Sequence, residues 1–415
     1  MWMKKISKNF IYSVFIITLL TITYEIFSIS KFRYSLSKGE LGIATNSNTY
    51  VYASRNPEEF IISQEAASKS KIFTVTMDFV KHSVLVAIAL LFLDSNLQRM
   101  MLKLAEKRVT LVKSGFRDLK KPEINFVCLL YSFYLITIFV VGLLTAKSYA
   151  IEKILKCFGF FVAFYLLLAP VLVFITYILL SKFHKKFIIA CFIAYAIKVL
   201  PDILIQDKVD YTKMTKMDIN EFPENIQEVL IKYDLQDRVY KEIFPGKEIN
   251  AALIGYGDGK RMEIYGNYDE FDQEQLYSVF LHEVGHAKEN SLLRKTIIYF
   301  IVLVLEMLVF LFLYDRVSSK FSNQDISYFT AFLVLAFIYR VLLRQWLFSI
   351  YKLGSQISEI NSDLFAKQYG YDEYLANTLY DIGIQSSDYL FPTVIYNSLR
   401  SGHPSLYSRI EYLNG

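Results

Sequence analysis

Apolar residues gather in seven runs, each near the ~20 residues a helix needs to cross the hydrocarbon core of a bilayer. They lie at about 10–29, 73–93, 124–146, 157–180, 187–206, 296–314 and 326–348. The pattern predicts an α-helical polytopic membrane protein with seven transmembrane helices. The first run follows Lys4, Lys5 and Lys8 but is too long for the apolar stretch of a signal peptide, and no small-x-small cleavage site follows it, so it reads as a retained helix. Ionisable residues interrupt the runs at Asp78, Lys81 and His82, at Lys198 and Asp202, and at Glu306 in the middle of LVLEMLVF. Ionisable groups at membrane depth usually face a bundle interior or a wet cavity, although terminal ones also snorkel to the interface.

Between the fifth and sixth runs, residues 207–295 change character to polar, with Pro and Gly turn signals, and read as a small folded segment. Pro223 introduces an amphipathic helix in which Ile226, Val229, Leu230 and Tyr233 recur at helical spacing. AALIGY and RMEIYG flank an Asp258-Gly259 turn, a β-hairpin signal. Asp272 then caps a helix through EQLYSVFLHEVGHAKEN. After the seventh run, 349–415 reads as further helices. The chain thus divides into a five-helix region (1–206), a soluble-like segment (207–295), two more spans (296–348) and a helical tail (349–415).

Composition supports the membrane assignment. Hydrophobic residues make up 54% of the 415, including 34 Phe and 31 Tyr, and the 20% that are charged concentrate between the runs. The net charge of +5 is small for this length and lies mostly in loops, which favours a lipid surface and argues against nucleic acid as a partner. Cys128, Cys157 and Cys191 each sit in an apolar run without CxxC spacing, so neither a disulfide framework nor a thiolate zinc site is expected.

The chemistry concentrates on the capped helix. His282-Glu283-Val284-Gly285-His286 is an H-E-x-x-H motif, whose i and i+4 imidazoles project from one helix face toward a single tetrahedral Zn²⁺. Glu283, one step around, is placed to take a proton from the attacking water as general base. A third ligand is needed, and Glu359 is the best candidate; Asp363, four residues on, can accept the far N–H of a ligand imidazole. An ExxxD pair alone is a weak signal. His403, before Pro404, reads as a loop residue that near a zinc site can donate to an oxyanion.

In this order, HEVGH, two apolar spans, ExxxDxFA from Glu359 to Ala366 and HPxxxxR from His403 to Arg409 resemble the type I CaaX prenyl endopeptidases, a family of membrane zinc metalloproteases. Asn250 to Gly255 is similar to that family's Asn-Ala-x-x-x-Gly strand. The resemblance is in layout over the whole chain and in sequence from about Ile219 to Leu413. It implies seven helices around a water-filled chamber, one zinc held by His282, His286 and Glu359, Glu283 as base, His403 and Asn250 near the scissile carbonyl, Asp363 behind the ligands, and Arg409 bracing the site. It also implies a substrate, the aaX tripeptide tail of a prenylated CaaX protein, an endoplasmic reticulum membrane in a eukaryote, and an active site on the cytosolic side. Counting positive charges in the first two loops points to the opposite orientation. Ile360 and Ala287 stand where the family usually has aromatics. Two other readings share these residues: a quality-control zinc endopeptidase acting on unlipidated membrane proteins, and a non-enzymatic scaffold or transporter.

Overall fold

The computed structural model describes residues 2–93, 131–134, 136–141, 143, 169–204, 209–244, 250–255, 257–266, 272–319 and 328–415. The polar loop after the second predicted span and parts of the third and fourth spans lie outside the described residues. In chain order the helices are α1 (Trp2–Ser37), α2 (Asn48–Arg55), α3 (Pro57–Leu93), α4 (Ala169–Phe183), α5 (Lys185–Leu204), α6 (Glu224–Lys232), α7 (Gln273–Lys288), α8 (Ser291–Ser318), α9 (Tyr328–Ile338), α10 (Arg344–Gln368), α11 (Asp372–Gln385), α12 (Val394–Arg400) and α13 (Leu406–Asn414). A π-helical turn, Tyr339–Leu343, joins α9 to α10. The strands are β1 (Met214–Lys216), β2 (Val239–Glu242), β3 (Asn250–Ile254) and β4 (Arg261–Tyr265).

Three stretches among the described residues are long and apolar enough to cross a membrane: Phe10–Ser37, Ser291–Arg316 and Phe332–Gln368. Tyr131–Val141 and Val171–Phe183 are shorter apolar helices. The last predicted span runs without a break into the helix that bears Glu359. Arg344–Gln368 contains no proline, so nothing ends the helix where the apolar run gives way to an amphipathic pattern.

The chain folds as two compact units. The first comprises residues 1–23, 74–195 and 303–347 and is helical in its described part apart from turns at His184 and Ser319. Its apolar contacts form two clusters, one around Leu85, Val86, Phe337 and Leu342, the other around Leu180, Ile188, Tyr314 and Phe329. A polar pair lies within it: Trp346 Nε1 donates to Thr18 Oγ1 (3.0 Å), whose own hydroxyl donates to Val14 O one turn back (2.7 Å).

The second unit comprises residues 24–73, 196–302 and 348–415. The hairpin read from the sequence is present: β3 and β4 pair antiparallel from Asn250↔Tyr265 to Ile254↔Arg261, around a 3₁₀ turn at Gly257–Gly259. It belongs to a four-stranded sheet of order β1-β2-β4-β3, in which β2 runs parallel to β4. β1 and β2 are only three and four residues long, too short to show as alternation in sequence. β3 therefore forms one edge of the sheet. The expected cap at α7 is a full capping box: Asp272 Oδ1 accepts from Gln275 N (2.7 Å) and Gln275 Oε1 accepts from Asp272 N (3.2 Å). Pro223 precedes α6, whose Ile226, Val229 and Leu230 are buried as their spacing predicts. The unit's core joins these to Phe280, Leu281 and Val284 of α7, Phe365 and Ala366 of α10, Leu375 and Ala376 of α11, and Ile410 and Leu413 of α13. Each large side chain buried there contributes roughly 1.5–3 kcal/mol. This packing fixes α7 against α10 and α13, the three helices that carry the predicted chemistry.

Candidate active site

α7 turns His282, Glu283 and His286 inward; all three are buried, and their ligand atoms lie within 4.8 Å of one another. α10 brings Glu359 to face both imidazoles. His282 Nε2 stands 3.6 Å from Glu359 Oε2, and His286 Nε2 stands 3.4 Å from Glu359 Oε1. Two ligands on one tetrahedral zinc, each about 2.0–2.1 Å from it, are separated by about 3.3 Å, so these spacings suit the metal. The donor set, two neutral-capable imidazoles and one carboxylate, is that of a zinc site with an open position.

The surroundings favour a cation in the same place. Asp363 is completely buried, and its Oδ1 lies 2.8 Å from His282 Nδ1, where it accepts that N–H and leaves Nε2 facing Glu359. Burial opposes a charge on His282, yet the hydrogen bonds to Asp363 and Glu359 outweigh it and push its pKa up to about 9. Arg409, from α13, neutralises the buried aspartate through two bonds: Nε to Oδ2 at 2.8 Å and Nη2 to Oδ1 at 2.6 Å. Its Nη1 is 3.9 Å from Glu359 Oε2.

His403 sits in the loop before α13 with its side chain two-thirds exposed, and its Nδ1 comes within 3.1 Å of Glu359 Oε2. Its backbone is held by Ser401 Oγ, which accepts from His403 N (3.0 Å), and by Asn397 Nδ2, which donates to His403 O (2.9 Å). Glu283 accepts from the backbone N–H of Leu253 in β3 through Oε2 (2.7 Å). That bond places the carboxylate beside the unpaired edge of the strand. Asn250 opens the same strand with an exposed side chain, and no hydrogen bond joins it to the histidines or Glu359 among the described residues. Seven of the eight predicted site residues, all except Asn250, thus meet in one cluster within the second unit.

Some of the supporting residues carry no motif. Ser362 Oγ lies 2.8 Å from His286 Nδ1, and Ser291 Oγ, which accepts from Ser358 (2.6 Å), lies 3.1 Å from it. These serines do for His286 what Asp363 does for His282. Ser362 is three residues from Glu359, hence on its helix face, which is the signal that would have found it. Lys295 Nζ, near the start of α8, is 3.4 Å from Glu359 Oε1. Gly285, between the two histidines, is where α7 touches α10: a Cβ built there would lie 2.7 Å from Ser362 Cα.

Residues 220–415 match the family model of Peptidase family M48. Over 98% of both chains the fold is similar to the crystal structure of S. mikatae Ste24p, at 17% identity and a TM-score of 0.53. No match was found among curated proteins.

Proposed function

We infer, from the premise that this chain is a membrane metalloprotease of the Peptidase M48 kind, that it is a zinc endopeptidase removing the aaX tripeptide from prenylated CaaX proteins. The observation that supports the reading is a single constellation: two imidazole nitrogens facing one carboxylate at 3.4 and 3.6 Å, with Glu283 of the same helix beside them and bonded to Leu253 N–H of the edge strand. His282, His286 and Glu359 would hold a zinc ion, which would supply Lewis acidity toward the scissile carbonyl and the attacking water.

The protein's own groups do the rest. An extended substrate adds to the open edge of β3 and gains main-chain hydrogen bonds without a sequence requirement. Glu283 takes the proton of the attacking water and passes it to the leaving amine. His403 and Asn250 donate to the developing oxyanion. Asp363 holds His282 in the tautomer that presents Nε2, Ser362 and Ser291 do so for His286, and Arg409 keeps Asp363 ionised. The prenyl group stays among the apolar helices, seven of them around a chamber in this reading, because extracting it would cost about 0.8 kcal/mol per CH₂. An endoplasmic reticulum membrane with the site on the cytosolic side fits a substrate lipidated in the cytosol.

The test compares prenylated and unprenylated versions of one CaaX peptide with purified, zinc-loaded protein in liposomes. Faster turnover of the prenylated peptide, with cleavage directly after the modified cysteine, is expected. Equal rates on both would move the reading to the quality-control endopeptidase. Glu283→Gln should keep the metal and lose turnover.

A further inference from the structure

Within the first unit lies a pocket of about 270 Å³ walled by Cys191, Phe192, Leu303 and Phe310. Its polar end is built around Glu306, which is buried and accepts from Tyr339 Oη (3.1 Å) and Arg344 Nε (2.8 Å). Residues five apart on an α-helix point about 140° away from each other, so an unbroken helix would not aim Tyr339 and Arg344 at one carboxylate. The π-helical turn solves this: Arg344 N–H donates to Tyr339 O, the turn widens, and the two side chains converge. Such turns recur at functional sites.

The charges in this pocket do not cancel. Glu306 is matched by Arg344, but Arg340 also lines the pocket, is exposed, and has no ion pair or hydrogen bond among the described residues. One positive charge is left over against mainly apolar walls. A hydrated free anion gains nothing from Phe192 and Phe310, whereas an amphiphile with one negative charge satisfies both ends. The walls belong to α5 and α8, and α8 and the Phe332–Gln368 helix are apolar enough to lie in a bilayer, so lipids have access. Arg340 is eight residues, about 12 Å, before the end of the apolar run at 348, toward which its long side chain can snorkel.

We propose that this pocket is a binding site for an anionic phospholipid, with Arg340 on the headgroup phosphodiester and an acyl chain along Phe192 and Phe310. The full-length protein in detergent is mixed with phosphatidylglycerol or phosphatidylcholine, and retained lipid is counted by native mass spectrometry. One phosphatidylglycerol per chain should be retained in preference to phosphatidylcholine. Arg340→Gln should lower that retention about tenfold, the effect of one charge-assisted contact, and Arg340→Lys should preserve most of it. Should Arg340→Gln fail to fold, Cys191→Trp, which fills the pocket, should give the same loss. Equal retention of the two lipids, or retention unaffected by the variants, overturns the proposal. Displacement of the lipid by inorganic phosphate alone also overturns it, since the ligand would then be the free anion.

Discussion

Gly285 and Ser362 touch backbone to backbone: a Cβ added to the glycine would meet Ser362 Cα at 2.7 Å and Ser362 Cβ at 3.1 Å. Since α7 carries two of the proposed ligands and α10 the third, this contact sets how near they come. Gly285→Ala should push the helices apart, destabilise the second unit by about 1–3 kcal/mol and lower zinc occupancy and turnover together. Gly402→Ala, whose Cβ would meet only the Ser355 side chain, Oγ at 3.3 Å and Cβ at 3.7 Å, is the matched control and should be nearly silent. Metal analysis and melting curves on both variants make the comparison; a Gly285→Ala protein with full zinc and unchanged melting would refute the account.

Asp363→Asn leaves Arg409 buried without its counter-charge and blunts the acceptor of His282 Nδ1. Breaking a buried pair from one side typically costs about 3–5 kcal/mol, and loss of a ligand's outer partner weakens metal binding about 10–100-fold. Arg409→Lys keeps the charge but not the two-point contact, and should fall between wild type and Asp363→Asn. Zinc competition titrations rank the three proteins; identical affinities would show that the pair plays no part in holding the metal.

Ser362→Ala separates orientation from stability. It removes the nearer of the two serine partners of His286 Nδ1, leaving Ser291, without stranding a charge, so melting should change little while zinc affinity falls up to about tenfold. A variant with altered melting and unaltered affinity would assign Ser362 to packing alone.

Asp381 gives a pH signature. Burial raises its pKa, the hydrogen bond from Gln275 Nε2 only partly offsets that, and Glu59 adds to the rise. A carboxyl raised above its unfolded value near 3.9 destabilises the fold when ionised, in full above the folded pKa; the penalty fades as pH falls through the folded pKa and is gone below the unfolded one. Asp381→Asn keeps the acceptor for Gln275, so it should melt slightly higher than wild type at pH 7, by up to about 2 °C, with the difference vanishing near pH 4. A difference that grows toward acid pH would contradict the assignment.

Much of the site was legible because its chemistry is local in sequence. His282, Glu283 and His286 share one helix turn or two, and Asp272 announces the start of that helix. Glu359 and Asp363 were found by i, i+4 spacing and by resemblance. Ser291, Ser358 and Ser362 were not, since a serine serving as an outer partner is indistinguishable in sequence from one on a wet helix face. Gly285 was hidden for a related reason: its importance lies in what packs against it, 77 residues further on at Ser362. The π-helical turn at Tyr339–Leu343 has no signature among apolar neighbours, where one extra residue per turn leaves the hydropathy unchanged. The N-terminal residues packed into the second unit were equally silent; Ser63 Oγ donates to Ile384 O (2.9 Å) across 321 positions of chain.

Between His286 and Glu359 the chain makes two passes that are long and apolar enough for a bilayer, Ser291–Arg316 and the first part of Phe332–Gln368. In the reading proposed above, the third zinc ligand therefore lies beyond both apolar helices, and a chain truncated before them would keep two imidazoles and lose the carboxylate that faces them.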